Sequence, residues 1–186
     1  MSQFSSLKNQ FLVAMPGLQD SDFTRSVTLI CEHNDDGAMG IVINQPLEIS
    51  TGELLEHMEI PFLETQNSNP VLAGGPVQTD RGFVIHRPPK TWKSSINLGQ
   101  DIVITSSADI LHAIAEDIDL KDAFVALGYA GWGPGQLEQE VLNNSWLNAP
   151  MQSEILFNTD IEQRWQKTIS SLGFDSQQLS YFSGHA

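Results

Sequence analysis

Val27-Thr28-Leu29-Ile30-Cys31-Glu32-His33-Asn34-Asp35-Asp36-Gly37-Ala38-Met39-Gly40-Ile41-Val42-Ile43-Asn44 is the stretch on which the fold class turns. Two short β-branched runs, Val27–Cys31 and Met39–Ile43, flank a polar turn. Asp-Gly at its end tolerates positive φ, so the stretch predicts an antiparallel hairpin. Upstream, Phe11–Met15 predicts another strand. Downstream, Val71–Ala73, Gly82–His86, Asp101–Thr105, Ala123–Tyr129 and Ile155–Phe157 have the same character. Helix signals fall between some of these runs and not between others. Without strict alternation, a mixed α+β domain is favoured over a doubly wound parallel sheet.

The helix signals are local. Ser50-x-x-Glu53 opens a short helix with Leu54, Leu55 and Met58 inward, and Thr159-x-x-Glu162 reads as a capping box, in which cap and glutamate satisfy each other's free amides. The second opens a stripe of Ile161, Trp165, Ile169 and Leu172 on one face. Asp160 and Arg164 form a favourable i,i+4 pair, and Gly173 stands where a left-handed cap belongs. Ser107 is placed to cap a helix carrying Ile110, Ile114 and Ile118.

The chain has 186 residues, of which 40% are apolar and 17% charged. That suits one domain spanning 1–186 with an ordinary buried core. One cysteine excludes an internal disulfide framework and a multi-thiolate zinc site. Twenty-three acids against nine bases give a net charge of −14, which opposes direct binding to DNA. Four of the nine bases, Arg81, Arg87, Lys90 and Lys93, cluster without an intervening acid. The apolar run Phe11–Met15 is too short for a secretory leader, and no run approaches the roughly 20 residues of a membrane span. A cytoplasmic location is the expectation.

The densest glycine cluster is Gly128-Tyr129-Ala130-Gly131-Trp132-Gly133-Pro134-Gly135-Gln136, followed by a predicted helix. Phosphate cradles occupy such places, yet no Gly-Lys-Ser/Thr follows, and Gln136 stands where a dinucleotide fingerprint needs a third small residue. Glu138 and Glu140 would repel a phosphate. A tight turn with Trp132 packed across it is the simpler reading. Strand alternation puts Cys31 and His33 on one face, about 6–7 Å apart, which does not by itself make a nucleophile and base. His33, Asp35 and Asp36 lack calcium-loop spacing, and neither a zinc helix nor a serine elbow occurs. No metal and no cofactor are implied.

Leu12-Val13-Ala14-Met15-Pro16, Asp20, Phe23, Arg25-Ser26-Val27, Cys31-Glu32-His33 and Gly37–Asn44 resemble the amino-terminal signature of the YqgE/AlgH family. Gly74-Gly75-Pro76-Val77 with Asp80-Arg81-Gly82-Phe83 resembles its middle block. Leu127–Trp132, Gly135–Glu138 and Gly184-His185-Ala186 resemble its last two. Ser21 departs from the proline many relatives carry. The resemblance implies an α+β single domain: a bifurcated mixed sheet, part of it a small closed barrel, surrounded by helices. It implies no reaction, and the family's usual label is transcriptional regulator.

Gly37, Gly40, Gly74, Gly75, Gly82, Gly128, Gly131, Gly133 and Gly135, nine of the 14 glycines, lie in or between these blocks, and glycine is useful where a sheet splits or backbones approach closely. The polar members Arg25, Ser26, His33, Asn44, Gln136 and Glu138, with Trp132, form the candidate binding surface if they converge in one groove. The expectation is a non-enzymatic regulatory or interaction protein whose partner is another protein. The alternative is a small-molecule or nucleotide binder, or an enzyme, built on the 128–138 turn.

Overall fold

Strand β1 (Gln10–Ala14) is fully buried from Phe11 to Ala14, because both of its faces are covered. In the computed structural model, which describes residues 4–18, 22–63, 69–116 and 122–182, Phe11 and Val13 enter one core while Leu12 and Ala14 enter another. Asp20, Ser21, Ile118 and the 184–186 motif lie outside the described residues. Chain order continues with β2 (Val27–Asn34), β3 (Gly37–Val42), β4 (Pro46–Ser50), α1 (Thr51–His57), β5 (Pro70–Ala73) and β6 (Val77–His86). Then come β7 (Ser95–Gly99), β8 (Ile102–Thr105), α2 (Asp109–Ala115), β9 (Phe124–Trp132) and α3 (Gln136–Leu142). Strand β10 (Trp146–Pro150), α4 (Ser153–Phe157), a 3-10 turn (Ile161–Gln163), α5 (Arg164–Ser171) and α6 (Ser176–Phe182) complete the fold.

The main path of the sheet is β10-β1-β2-β3-β9-β6-β8-β7, with β4 and β5 branching from β9. The first half of β9 pairs in parallel with β5, Leu72 opposite Ala126. Its second half pairs antiparallel with β3, Ala38 opposite Trp132. Gly74 lies in the fork: its N–H donates to Leu127 O at 2.7 Å, and its carbonyl accepts Val42 N–H at 2.8 Å. A Cβ on Gly74 would stand 2.3 Å from Gly128 O, and one on Gly128, where φ is +78°, would stand 2.3 Å from Gly75 O. Three backbones meet there with no room for a side chain. At Gly82, Gly131 and Gly133, by contrast, the nearest atom to an added Cβ is at 3.7 Å or more. The close-approach reading therefore fits the fork and not these three positions.

The sheet also curls. Trp132 and Trp146 belong to strands four steps apart, about 19 Å in a flat sheet, yet their ring centroids are 6.0 Å apart. The bifurcated, mixed α+β architecture implied by the resemblance is the one found, its curled part a half-barrel. One face carries a continuous core under α4, α5 and α6, through Ile155, Trp165, Ile169 and Leu179. The other face is divided into one core under α3 and another under α1 and α2.

Several local expectations need correction. The capping box forms at Ser50 and Glu53, whose helix buries Leu55 but leaves Met58 exposed, whereas Thr159 turns its hydroxyl to Glu154 O at 3.1 Å and a 3-10 turn precedes α5. Ile155–Phe157 is helical, not extended: a short apolar run does not distinguish the two. Helix α2 starts after Ala108, because Ser107 donates to Asp109 and accepts from Ser94 instead of capping. Arg164 does not pair with Asp160. It is buried, and its guanidinium donates to the carbonyls of Ile43, Leu156 and Thr159.

Candidate functional site

Strand β2 bulges between Ile30 and Glu32, and the bulge separates two residues that alternation would place together. Cys31 packs in the core under α4–α6, its Sγ 3.5 Å from Leu29 O. His33 turns to the opposite side, toward Leu7 and α3. Burial, then the charge of Glu32, push the Cys31 thiol up to about 12, against a smaller lowering by Lys8. It is a protonated core residue at neutral pH.

The His33 side chain is 4% exposed. Its Nδ1 accepts the Leu7 N–H at 2.8 Å, and a backbone amide can only donate. Nε2 therefore carries the proton and donates to Glu138 Oε1 at 2.9 Å. Glu138 lies in the first turn of α3. Burial raises its pKa, but a backbone N–H at the helix start and the His33 contact outweigh this and hold the carboxyl below its ordinary value. Two residues on, Glu140 Oε2 accepts from the indoles of Trp132 at 2.9 Å and Trp146 at 2.8 Å. Its Oε1 accepts from Gln136 Nε2 at 2.9 Å, while Gln136 Oε1 closes the glycine turn on Gly133 N–H at 3.0 Å.

Glu140→Ala removes the common acceptor of two buried indoles. Bonds to charged groups contribute about 1.5–3 kcal/mol each, so the expected loss is about 2–4 kcal/mol. Near-ultraviolet circular dichroism during urea unfolding checks this, and an unchanged midpoint would show that the indoles do not depend on Glu140.

Glu138 also sets an acid-side dependence. Its folded pKa lies below the unfolded value, so below pH 4.5 the unfolded chain binds more protons. The contribution is present above that range and lost as pH falls through the folded pKa. Glu138→Gln is expected to flatten the fall in melting temperature between pH 5 and 3 relative to the parent, measured by calorimetry.

The other predicted residues lie elsewhere. Asn44 Oδ1 accepts Val27 N–H and its Nδ2 donates to Arg25 O, both at 2.8 Å. This clamp holds Arg25 at φ +51°, a left-handed conformation costly for a side-chain-bearing residue. The Arg25 guanidinium lies 5.3 Å from the Trp165 ring, whose indole donates to Ala14 O at 3.0 Å. Arg25, Asn44, Gln45, Glu162 and Trp165 border a polar cleft of about 370 Å³. Ser26 is fully buried, and its hydroxyl has no partner among the described residues.

The candidate surface is thus two groups. His33, Trp132, Gln136 and Glu138 meet around α3; Arg25, Ser26 and Asn44 meet at the opposite end of β2, about 20 Å away by strand rise. Glu140 and Trp146 belong to the first group and were not predicted. Glu140 was visible as the residue one turn after Gln136, but a donor arriving from β10 was not. Among the described residues no three His, Cys, Asp or Glu side chains assemble as a metal site requires. None of the described helices is long and apolar enough to cross a membrane.

A family model described as AlgH-like matches residues 11–177. A UPF0301 protein of Thioalkalivibrio sulfidiphilus is 52% identical over 186 residues, the full length of both chains. The chain belongs to the AlgH-like family. Another UPF0301 protein, from Pseudoalteromonas translucida, is 52% identical over 97% of this chain and 99% of its own. The solution structure of the AlgH protein from Pseudomonas aeruginosa superimposes with a TM-score of 0.79 at 40% identity, both chains fully covered. A Corynebacterium diphtheriae protein shares the fold, with a TM-score of 0.75 at 21% identity over 97% of this chain and 94% of that one. Trp132, Gln136 and Glu138 of the quoted 127–138 block and His33 of the amino-terminal block all take part in the α3 network, together with Glu140 and Trp146 from outside the quoted blocks.

Proposed function

We propose that this AlgH-like protein is a non-enzymatic regulatory or interaction protein of the cytoplasm that acts through a protein partner. The observation that carries the reading is where the polar side chains around α3 direct their hydrogen bonds. His33, Gln136, Glu138 and Glu140 bond to one another, to Trp132 and Trp146, and to backbone amides. A reacting or phosphate-binding site needs such groups pointed at a ligand; here they fasten α3 to the curled sheet. Cys31 is buried and protonated, which removes the one thiol as a nucleophile.

The charge of −14 speaks against a direct grip on duplex DNA. The basic run Arg81–Lys93 does not change this: Arg87 is paired with Asp122 at 2.7 Å, and Arg81 lies over the Phe83 ring. A regulatory effect would then run through another protein. Crosslinking in living cells that carry a tagged copy, followed by reconstitution with the purified protein it crosslinks to, tests the reading. A reconstituted complex is the expected result. Binding of the purified chain to duplex DNA at low salt, or turnover of a substrate abolished by changing His33 or Glu138, would overturn it.

A further inference from the structure

The middle motif block, Asp80-Arg81-Gly82-Phe83, has no part in the α3 network, yet Asp80 and Gly82 meet again on the other half of the sheet. There, between α1 and α2, lies a groove of about 400 Å³, within the range of small-molecule sites. Leu54, Met58, Leu111 and Leu127 form its walls, and Val84 and Gly82 part of its floor. Met58 is 45% exposed, high for an apolar side chain facing a groove.

Two features separate this groove from an ordinary gap in packing. The first is Gly82. Its φ is not in the left-handed region, and an added Cβ would come no nearer than 3.8 Å to Leu127 Cδ2. The backbone therefore does not require glycine there, unlike Gly74 and Gly128, and the missing side chain is what gives the groove its depth. The second is charge. Asp80 is the only ionisable side chain in the lining, is exposed, and makes no ion pair or hydrogen bond among the described residues. At the polar end, Thr105 is already committed: His86 Nδ1–H donates to Arg87 O, so His86 Nε2 accepts the Thr105 hydroxyl, and Ser95 donates to Thr105 Oγ1 at 2.6 Å. The carboxylate of Asp80 is thus left to meet whatever charge a ligand brings.

We propose that this groove binds a small apolar organic cation, its hydrocarbon body against Leu54, Met58 and Leu127 and its ammonium group at Asp80. A site of this kind stands independently of the protein-partner reading.

The test uses the full chain and three probes with closely similar bodies, 2-phenylethylamine, 2-phenylethanol and 3-phenylpropionate, titrated by amide and methyl NMR. Saturable shifts at Leu54, Met58, Gly82 and Leu127 are expected, with the amine about threefold tighter than the alcohol, as suits one exposed charge pair, and the acid weakest. Asp80→Asn is expected to erase the difference between amine and alcohol, and Gly82→Leu to abolish shifts in the groove. If Gly82→Leu does not fold, Gly82→Ala is expected to fold and to weaken all three probes together. The proposal is overturned by absence of saturable shifts, by shifts centred elsewhere, or by an amine preference that survives Asp80→Asn. A light-scattering mass of two chains that falls to one with Met58→Asp would also overturn it, since a second copy would then fill the groove.

Discussion

Arg164→Ala is expected to lower stability by about 3–5 kcal/mol, because it leaves three buried carbonyls without a donor at about 1–3 kcal/mol each. Arg164 is 5% exposed, and its guanidinium reaches Thr159 O at 3.3 Å, Leu156 O at 2.6 Å and Ile43 O. It also lies 4.9 Å from the Phe124 ring. It thereby ties the end of β3 and the start of β9 to the neighbouring end of α4 and start of α5. No carboxylate among the described residues pairs with it, and burial pushes its pKa down to about 10, so it remains charged at neutral pH. In a domain of this length 1 kcal/mol corresponds to about 2–4 °C, giving a fall of about 10 °C in melting temperature. Arg164→Lys keeps the charge but cannot span three carbonyls in fixed directions, and is expected to lose most of the same stability. A lysine variant melting with the parent would show that charge alone, not the fork of donors, holds these segments.

The second large effect is expected at Gly74. Gly74→Ala would put a methyl group 2.3 Å from Gly128 O and 3.2 Å from Ile41 Cγ2. The first contact is with backbone already fixed by two ladders, so relief requires β9 to leave β5 or β3. Cost of at least about 4 kcal/mol is expected, in the range reserved for overpacking and strain at special positions. The readout is recovery of folded protein and its urea midpoint. A variant recovered in parental yield with a parental midpoint would mean that the fork opens without penalty.

These two sites were not equally legible in the sequence. The fork was legible in kind: clustered glycines in strand-like runs announce backbones in close approach, and Gly74, Gly75 and Gly128 meet as such residues should. Which glycines did so was not legible, since Gly131 and Gly133 sit in the same block with room to spare. Arg164 was misread because local spacing offered Asp160 as a partner four residues away, whereas its contacts include Ile43, 121 residues distant. The same limit applies to the candidate site. His33 and Glu138 were both named, but a contact spanning 105 residues has no trace in spacing, and the bulge that frees His33 from the Cys31 face has no residue signature. Strands β4, β7 and β10 were missed for a different reason. Their exposed positions and flanking Pro or Gly residues break the apolar runs that mark the inner strands.

The central claim is that the glycine motif of β9 shapes the sheet and does not grip a ligand. Its most direct test is a pair of variants three residues apart, Gly128→Ala and Gly131→Ala, compared by calorimetric melting. Gly128 combines φ +78° with a backbone oxygen 2.3 Å from an added Cβ, whereas Gly131 has 3.7 Å of clearance. The predicted result is a fall of more than about 10 °C, or failure to fold, for Gly128→Ala and a change within about 2 °C for Gly131→Ala. Equal melting temperatures for the two would contradict it.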